Sequence, residues 1–153
     1  MTDPAHTPPE ALVAAARAAA RNAHAPYSNF GVGAALLMDD GEIVSGTNIE
    51  NASYGLSLCA EAVALGTANS LGRLRDIVAV AVVGGQIGAD GALVGAVPVH
   101  PCGRCRQMLN EAAQLGRRDL PVYCASADGS AMVVRSLSEL LPHGFGPADL
   151  AIG

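Results

Sequence analysis

The chain has few of the side chains that bind polyanions. Its 153 residues include no tryptophan, no lysine and only five aromatic residues, and 15% of the residues are charged. The nine cationic residues are all arginines, their longest run is the pair Arg117-Arg118, and the net charge is −5. Because nucleic-acid binding usually needs a concentrated basic stripe, these absences argue against a nucleic-acid partner and favour a small, nearly neutral ligand.

Long apolar runs are also lacking. No stretch approaches the roughly 20 apolar residues that span a bilayer, so we expect no membrane partner. The first ten residues carry Asp3 and Glu10 but no Lys or Arg, and Arg17 and Arg21 interrupt the one short apolar segment that follows, unlike a secretory signal. Four cysteines without the spacing of a disulfide scaffold then favour metal or redox chemistry. We expect a cytoplasmic protein.

The low content of charged residues bears on assembly. The length suits a single domain over residues 1–153. Soluble domains contain about 25% charged residues, so the surface of this protein carries fewer charged side chains than usual. An oligomer would explain the difference, whereas an Ala- and Gly-rich composition would lower the charge without any interface.

Helix and strand signals alternate along the chain. Thr7-Pro8-Pro9-Glu10 has the pattern of a helix start, and Asp39-Asp40-Gly41 that of a hairpin turn. The predicted helices cover 7–23, about 59–71, a segment opening at Pro101, and 136–141. The predicted strands cover 31–38, 43–49, 77–83, 121–125 and 131–135, and the glycine-rich segment 84–95 is predicted to be a loop. This order favours an α/β fold with a sheet between helices.

Two thiols stand at the start of the predicted third helix. Cys102 and Cys105 are three positions apart, so they share one helix face and can reach one ion. Unpaired N–H groups at a helix N-terminus favour their thiolates. The Cys-x-x-Cys motif alone is compatible with zinc binding, redox chemistry or buried structural cysteines.

The segment Cys59-Ala60-Glu61 favours a metal site. Residues two apart in a helix differ by about 200° in direction, so Cys59 and Glu61 can face one ion only from the very end of a helix. We therefore predict that the second helix begins at or just before Cys59, beside the start of the third. Three thiols leave an open fourth position, as in catalytic zinc sites. In the alternative, Cys124 is a fourth ligand and the site is closed.

The same motifs carry a family resemblance. Cys59-Ala60-Glu61 and Pro101-Cys102-Gly103-Arg104-Cys105 match the zinc-deaminase signature, in which a third cysteine can replace the histidine. The chain resembles the small homotetrameric cytidine deaminases of the cytidine/deoxycytidylate deaminase superfamily over nearly its whole length. Further segments that support this resemblance are Pro26-Tyr27-Ser28-Asn29-Phe30, Gly33-Ala34-Ala35-Leu36, Asn48-Ile49-Glu50-Asn51-Ala52-Ser53-Tyr54-Gly55 and Arg106-Gln107.

The resemblance implies a fold and an activity. The fold is a three-layer α-β-α sandwich around a mixed five-stranded sheet. The implied cofactor is one Zn²⁺ per subunit, held by Cys59, Cys102 and Cys105. The reaction converts cytidine and 2′-deoxycytidine to uridine and 2′-deoxyuridine plus ammonia, in pyrimidine salvage. Zinc-activated hydroxide attacks C4, and Glu61 shuttles the protons. The implied assembly is a homotetramer with active sites shared between subunits.

The substrate residues follow from the same resemblance. Asn48 and Glu50 correspond to a ribose-binding pair, and their spacing puts both on one face of an extended segment. Phe30 corresponds to an aromatic that packs on the pyrimidine, Tyr54 to a residue of the shared site, and Ala60 to a further substrate-binding residue. Without the resemblance, Asn48 and Glu50 could be a capping, solvated pair, and Phe30 a core residue.

The chain departs from the family pattern at two positions. Family members with three cysteines often carry Arg after Cys-Ala-Glu and Ala between the later cysteines, where this chain has Ala62 and Arg104. Three thiolates and a hydroxide around Zn²⁺ sum to −2, which needs compensation from nearby cations or N–H donors. We hypothesise that Arg104, or otherwise Arg106, supplies it. In the alternative, Arg104 is a solvated side chain on an exposed turn.

Two rival functions stay open from the sequence. Blasticidin-type deaminases share Pro-Cys-Gly-Arg-Cys-Arg-Gln, whereas Asn48-Ile49-Glu50-Asn51 favours a nucleoside substrate. A non-catalytic zinc-binding scaffold is the alternative from another class. The sequence does not rank ribonucleosides against deoxyribonucleosides.

Overall fold

The structure is a computed structural model that describes residues 9–153. It contains four α-helices in that range: α1 Pro9–Ala20, α2 Ala60–Ser70, α3 Gly103–Leu115 and α4 Leu137–Leu140. The strands are β1 Phe30–Met38, β2 Ile43–Thr47, β3 Ile77–Ile87, β4 Leu93–Val94, β5 Pro121–Ser126 and β6 Met132–Ser136. The helix start predicted at Thr7-Pro8 lies outside the described residues. None of the helices in 9–153 has the length and apolarity required to cross a membrane.

The five predicted strands form one sheet in the order β2-β1-β3-β5-β6. β3 runs parallel to β5, and the other neighbours are antiparallel, so the prediction of a mixed sheet is confirmed. The loop predicted over 84–95 is wrong in part, because β3 continues to Ile87 and pairs with the two-residue strand β4. The sequence did not predict this hairpin because glycine carries no strand signal. The backbone of Gly84 and Gly85 nevertheless pairs with β1.

The sheet is buried on both faces. Along β1, Leu36 packs into the cluster beneath α2 and α3, whereas its neighbour Leu37 packs into the cluster beneath α1. Successive strand residues point to opposite faces, so a continuous apolar run feeds two cores. Helices therefore cover both faces, which confirms the three-layer α-β-α sandwich.

Two glycines let the helices approach the sheet closely. A Cβ atom on Gly33 would lie 1.8 Å from the carbonyl oxygen of Ala16 in α1. A Cβ atom on Gly46 would lie 2.6 Å from the backbone nitrogen of Ala64 and 2.7 Å from the carbonyl oxygen of Ala60. Gly46 thus sets how deeply the first turns of α2 sit on β2.

β2 ends at Thr47, two residues earlier than predicted, and the Asn48 side chain adds to the last backbone bond to β1, in which the N–H of Asn48 donates to the carbonyl oxygen of Val32 at 3.2 Å. Asn48 donates from Nδ2 to the carbonyl oxygen of Phe30 at 2.9 Å and accepts at Oδ1 from the N–H of Val32 at 2.9 Å. Its own carbonyl accepts from the N–H of His24. The chain after β2 is therefore fixed to two segments at once.

Candidate metal centre and active site

The two helices on one face of the sheet begin side by side. Cys59 is the N-cap of α2 and Cys102 is the N-cap of α3, and both have extended backbone conformations. The second helix, predicted to begin at or just before Cys59, begins one residue later at Ala60, and the third begins at Gly103 rather than at Pro101. The prediction that the two helix starts lie side by side is confirmed.

The three predicted metal ligands converge. The Sγ atoms of Cys59 and Cys102 are 3.7 Å apart, and the Sγ atoms of Cys59, Cys102 and Cys105 all lie within 4.8 Å of one another. Zn–S bonds of about 2.3 Å in tetrahedral geometry place sulfurs about 3.8 Å apart. The thiol cluster therefore fits a zinc ion, and all four cysteines are free of disulfide bonds.

Cys124 does not join this cluster. It lies on β5, buried in the core beneath α2 and α3, where burial raises the pKa of its thiol to about 11. Within residues 9–153 the groups close enough to share a metal ion are the three other cysteines. The fourth position of the site thus receives no thiol from Cys124.

Burial and local donors set the electrostatics of the site. Burial raises the pKa of Cys59 and of Cys105. At Cys102 burial acts in the same direction, but hydrogen bonds from the Cys105 backbone and from the neighbouring thiols outweigh it and lower the pKa. Burial also raises the pKa of Glu61, whose side chain is only 3% exposed. Positive charge at this point would favour all four anions.

A cavity of about 290 Å³ opens beside the thiols. It brings together the carboxyl-bearing Glu61 with two metal ligands and three of the predicted substrate residues. Val32 and Val99 form apolar parts of the cavity wall, and polar side chains form other parts. The remaining lining residues are Asn48, Glu50, Ser57, Leu58, Cys59, Ala60, His100 and Cys102.

The predicted ribose-binding pair is held in place by the chain itself. Asn48 bridges to β1 as described above. The carboxylate of Glu50 accepts from the N–H of Tyr27 at 2.9 Å, the N–H of Ser28 at 3.2 Å and the hydroxyl of Ser28. The Ser28 hydroxyl is the main cause of a lowered pKa of Glu50. Both side chains therefore cap neighbouring segments and also line the cavity.

Two predicted substrate residues lie outside the cavity. Phe30 lines an adjacent cleft of about 310 Å³, which shares Val99 with the cavity. Tyr54 is 73% exposed and its ring lies 5.3 Å from that of Tyr27. Within a single chain, neither ring is brought to the thiols.

The two arginines near the thiols differ in their contacts. Arg106 donates from Nε to the carbonyl oxygen of Pro101 at 2.8 Å and from Nη1 to that of Leu140 at 2.9 Å, so it ties α3 to α4. Arg104 is exposed in the first turn of α3. Ala62, where the family pattern has arginine, is buried.

Among the titratable residues of the cavity, His100 alone was not predicted from the sequence. His100 lines the cavity two residues before Cys102. Its position directly before Pro101-Cys102 was the available signal, but a lone histidine outside the family motif carried no weight by itself.

The thiol arrangement defines a class of protein. An α/β sandwich with three thiols around one point and a cavity at the fourth position has the geometry of catalytic zinc sites, whereas structural sites are closed by four protein ligands. The model of the cytidine and deoxycytidylate deaminase zinc-binding region matches residues 7–118 of the chain. The chain therefore belongs to the cytidine and deoxycytidylate deaminase family.

Individual relatives agree with this assignment. The chain is 48% identical to a cytidine deaminase of Halalkalibacterium halodurans over 139 residues, which cover 91% of this chain and 95% of the relative. It is 41% identical to a cytidine deaminase of Mycobacterium tuberculosis over 138 residues, 86% of this chain and 85% of the relative. The crystal structure of cytidine deaminase from Burkholderia pseudomallei superimposes with a TM-score of 0.77 at 44% identity, covering 91% of this chain and 100% of that one.

Proposed function

We propose that this protein is a zinc-dependent cytidine deaminase that converts cytidine and 2′-deoxycytidine to the uridine nucleosides and ammonia. The observation that carries the proposal is the placement of Glu61. Its buried carboxyl group shares one cavity with two of the clustered thiols and with Asn48 and Glu50. Metal ligands, an acid–base group and polar groups suited to a sugar thus meet in one nucleoside-sized space.

The proposed chemistry divides between the metal and Glu61. When bound by the three thiolates, zinc activates water for attack on an electrophilic carbon. Glu61 accepts the proton of the attacking water and delivers protons to ring N3 and to the departing amine at C4. Burial raises its pKa, which brings the carboxyl group closer to the pKa at which an acid–base group works best near neutral pH.

The substrate is held by groups that are already in position. Asn48 and Glu50 bind the ribose hydroxyls without further ordering, because hydrogen bonds to β1 and to the segment 27–28 fix both side chains. Ala60 contacts the base from the first turn of α2. Phe30 packs on the pyrimidine from the cleft that shares Val99 with the cavity.

The proposed assembly is a homotetramer in which subunits complete one another's sites. Large apolar side chains are exposed near the cavity, among them Tyr54 at 73%, Leu56 at 67% and Val97 at 76%. Exposed apolar side chains in such number mark an interface, and Tyr54 then reaches the site of a neighbouring subunit. We further propose a single domain over 1–153 acting in the cytoplasm in pyrimidine salvage.

Arg104 is the proposed compensating cation for the thiolates. Its place in the first turn of α3, one residue from Cys105, is close enough to offset part of the −2 charge of the site. Replacing Arg104 with alanine then weakens zinc binding and slows turnover, whereas Arg104→Lys keeps the charge and most of both. Unchanged zinc affinity and turnover in Arg104→Ala would show that Arg104 is a solvated side chain.

The proposed activity is tested directly. Incubating the zinc-loaded protein with cytidine should remove the cytidine absorbance band and release an equal amount of ammonia. A panel of cytidine, 2′-deoxycytidine and blasticidin S ranks the substrates, and the named relatives favour the nucleosides over blasticidin. A protein that binds zinc but deaminates none of the panel would be a scaffold instead.

A further inference from the structure

Most polar side chains of the cavity make hydrogen bonds to other residues of the chain. Asn48 and Glu50 hold neighbouring segments, and the hydroxyl of Ser57 accepts from the N–H of Asn51 at 3.1 Å. The thiols and Glu61 face the metal position. By contrast, the side chain of His100 makes no hydrogen bond to any residue in the range 9–153, although His100 lines the same cavity and is only partly exposed.

His100 lies at the thiol end of the cavity. Two residues of chain span at most about 7 Å, so the backbone of His100 is that close to the backbone of Cys102. Asn48 and Glu50 reach the cavity from the segment after β2. If the ribose of a nucleoside binds Asn48 and Glu50 and its C4 atom points to the thiols, the base lies beside His100.

We propose that His100 is a further substrate-binding residue, whose imidazole hydrogen-bonds the polar edge of the pyrimidine base and raises the affinity of the site for the nucleoside. This inference rests on the proposed function. A base that enters a cavity walled by Val32 and Val99 leaves water, and its polar atoms need new partners. The imidazole N–H is a hydrogen-bond donor, which suits the 2-carbonyl oxygen that cytidine, 2′-deoxycytidine and uridine share.

The experiment separates binding from chemistry. The zinc-loaded protein and its His100→Ala and His100→Gln variants are assayed for KM and kcat with cytidine and 2′-deoxycytidine, and for the Kd of uridine. We expect His100→Ala to raise both KM values and the uridine Kd about tenfold, the effect of one hydrogen bond, and to change kcat less. His100→Gln should recover most of the affinity.

Controls identify what has failed if these results do not appear. Zinc content must be equal in all variants, and His143→Asn, at an exposed turn, should match the unchanged protein in every value. Unchanged KM and Kd in His100→Ala overturn the inference while the deaminase activity stands. A loss confined to cytidine places the contact at the 2′-hydroxyl and overturns the base contact, and zinc loss in both His100 variants makes the residue structural. If the unchanged protein deaminates neither nucleoside, the proposed function fails instead.

Discussion

The two faces of the sheet are built alike but end differently. Beneath α1 the buried side chains, such as Leu12 and Val83, are all apolar, and the helix closes over them. Beneath α2 and α3 a similar cluster around Leu36 and Leu109 continues to the helix N-termini, where the packing opens into the cavity beside Glu61. The face beneath α1 therefore contributes only to stability, whereas the face beneath α2 and α3 contributes to stability and also forms the candidate site.

The largest expected effect concerns the carboxylate at the open end. Glu61→Gln keeps the shape of the side chain but removes its proton-accepting oxygen, so kcat should fall by about 10²–10⁴-fold, the usual contribution of an acid–base group. Zinc content should not change. Glu111→Gln, on the exposed side of α3, is the matched control. Turnover retained in Glu61→Gln would remove Glu61 from proton transfer.

Cysteines at the open end of the face beneath α2 and α3 and in the core of that same face should respond in opposite ways. Cys102→Ser removes a proposed ligand and should weaken zinc binding at least about a hundredfold, since changes to groups that only support a ligand already cost 10–100-fold. Cys124→Ser should keep its zinc and instead lower the free energy of unfolding by about 1–3 kcal/mol, because a hydroxyl replaces a thiol in the core. Titration with a zinc-competing chelator and denaturant unfolding measure the two effects. Zinc loss in Cys124→Ser would make Cys124 a ligand.

Substitutions at Gly33 and Gly46, where α1 and α2 approach the sheet closely, compare the two faces. Gly33→Ala and Gly46→Ala each force a methyl group against helix backbone, so each should destabilise the fold by about 1–3 kcal/mol. Only Gly46→Ala moves the first turns of α2, which follow the ligand Cys59, and only this variant should also lose zinc affinity. Thermal unfolding with zinc analysis distinguishes them. Equal zinc affinity in both variants would contradict the role given to Gly46.

The smallest effect is expected at a group of ion pairs on the surface. Arg73 ties the β1–β2 hairpin to the start of β3 through a group of carboxylates, Asp39, Asp40, Glu42 and Asp76. Hydrogen bonds from the Glu42 backbone and from Arg73 lower the pKa of Asp40. A carboxyl group with a lowered pKa in the folded protein stabilises the fold at pH values above its ordinary pKa of about 4. This stabilisation is lost as the pH falls through the lowered pKa.

Arg73→Gln should therefore lower Tm slightly at neutral pH, and the difference from the unchanged protein should shrink in acid and in high salt. Zinc content and turnover should not change. Arg75→Gln in the same short segment is the control. A Tm difference that grows as the pH falls would contradict the proposed ion pairs.

Local signals predicted the helix starts well. Cys59 and Cys102 lie at helix starts, which fall within two residues of the predicted positions. For Cys59 the signal is the spacing Cys-x-Glu, because it is compatible with one ion only at a helix end. Ser136 and Glu139 form the capping box of the short helix α4 predicted over 136–141. Gly41, with φ of 89°, occupies the hairpin position predicted for it. These features depend on residues close in sequence, so the sequence suffices to locate them.

Features that depend on distant segments were harder to predict. The β3–β4 hairpin lies in glycine-rich sequence that has no strand signal of its own, and its pairing exists because β1 already stands beside β3. β2 stops early because the residues after Thr47 pair with His24 and Leu58 instead of β1. The place of Phe30 in a neighbouring cleft and of His100 in the cavity likewise follows from packing.

The sequence by itself determined the ligand types, their spacing at two helix starts and the carboxylate beside them, because these lie within single turns of helix. The tertiary structure alone decided that the two helix starts, 43 positions apart in sequence, bring the Sγ atoms of Cys59 and Cys102 to 3.7 Å. It also decided that Cys124 is buried in the core away from the cluster. The physical reason is the sheet: α2 and α3 pack side by side on one of its faces, and the close approach at Gly46 sets the depth of α2 on β2.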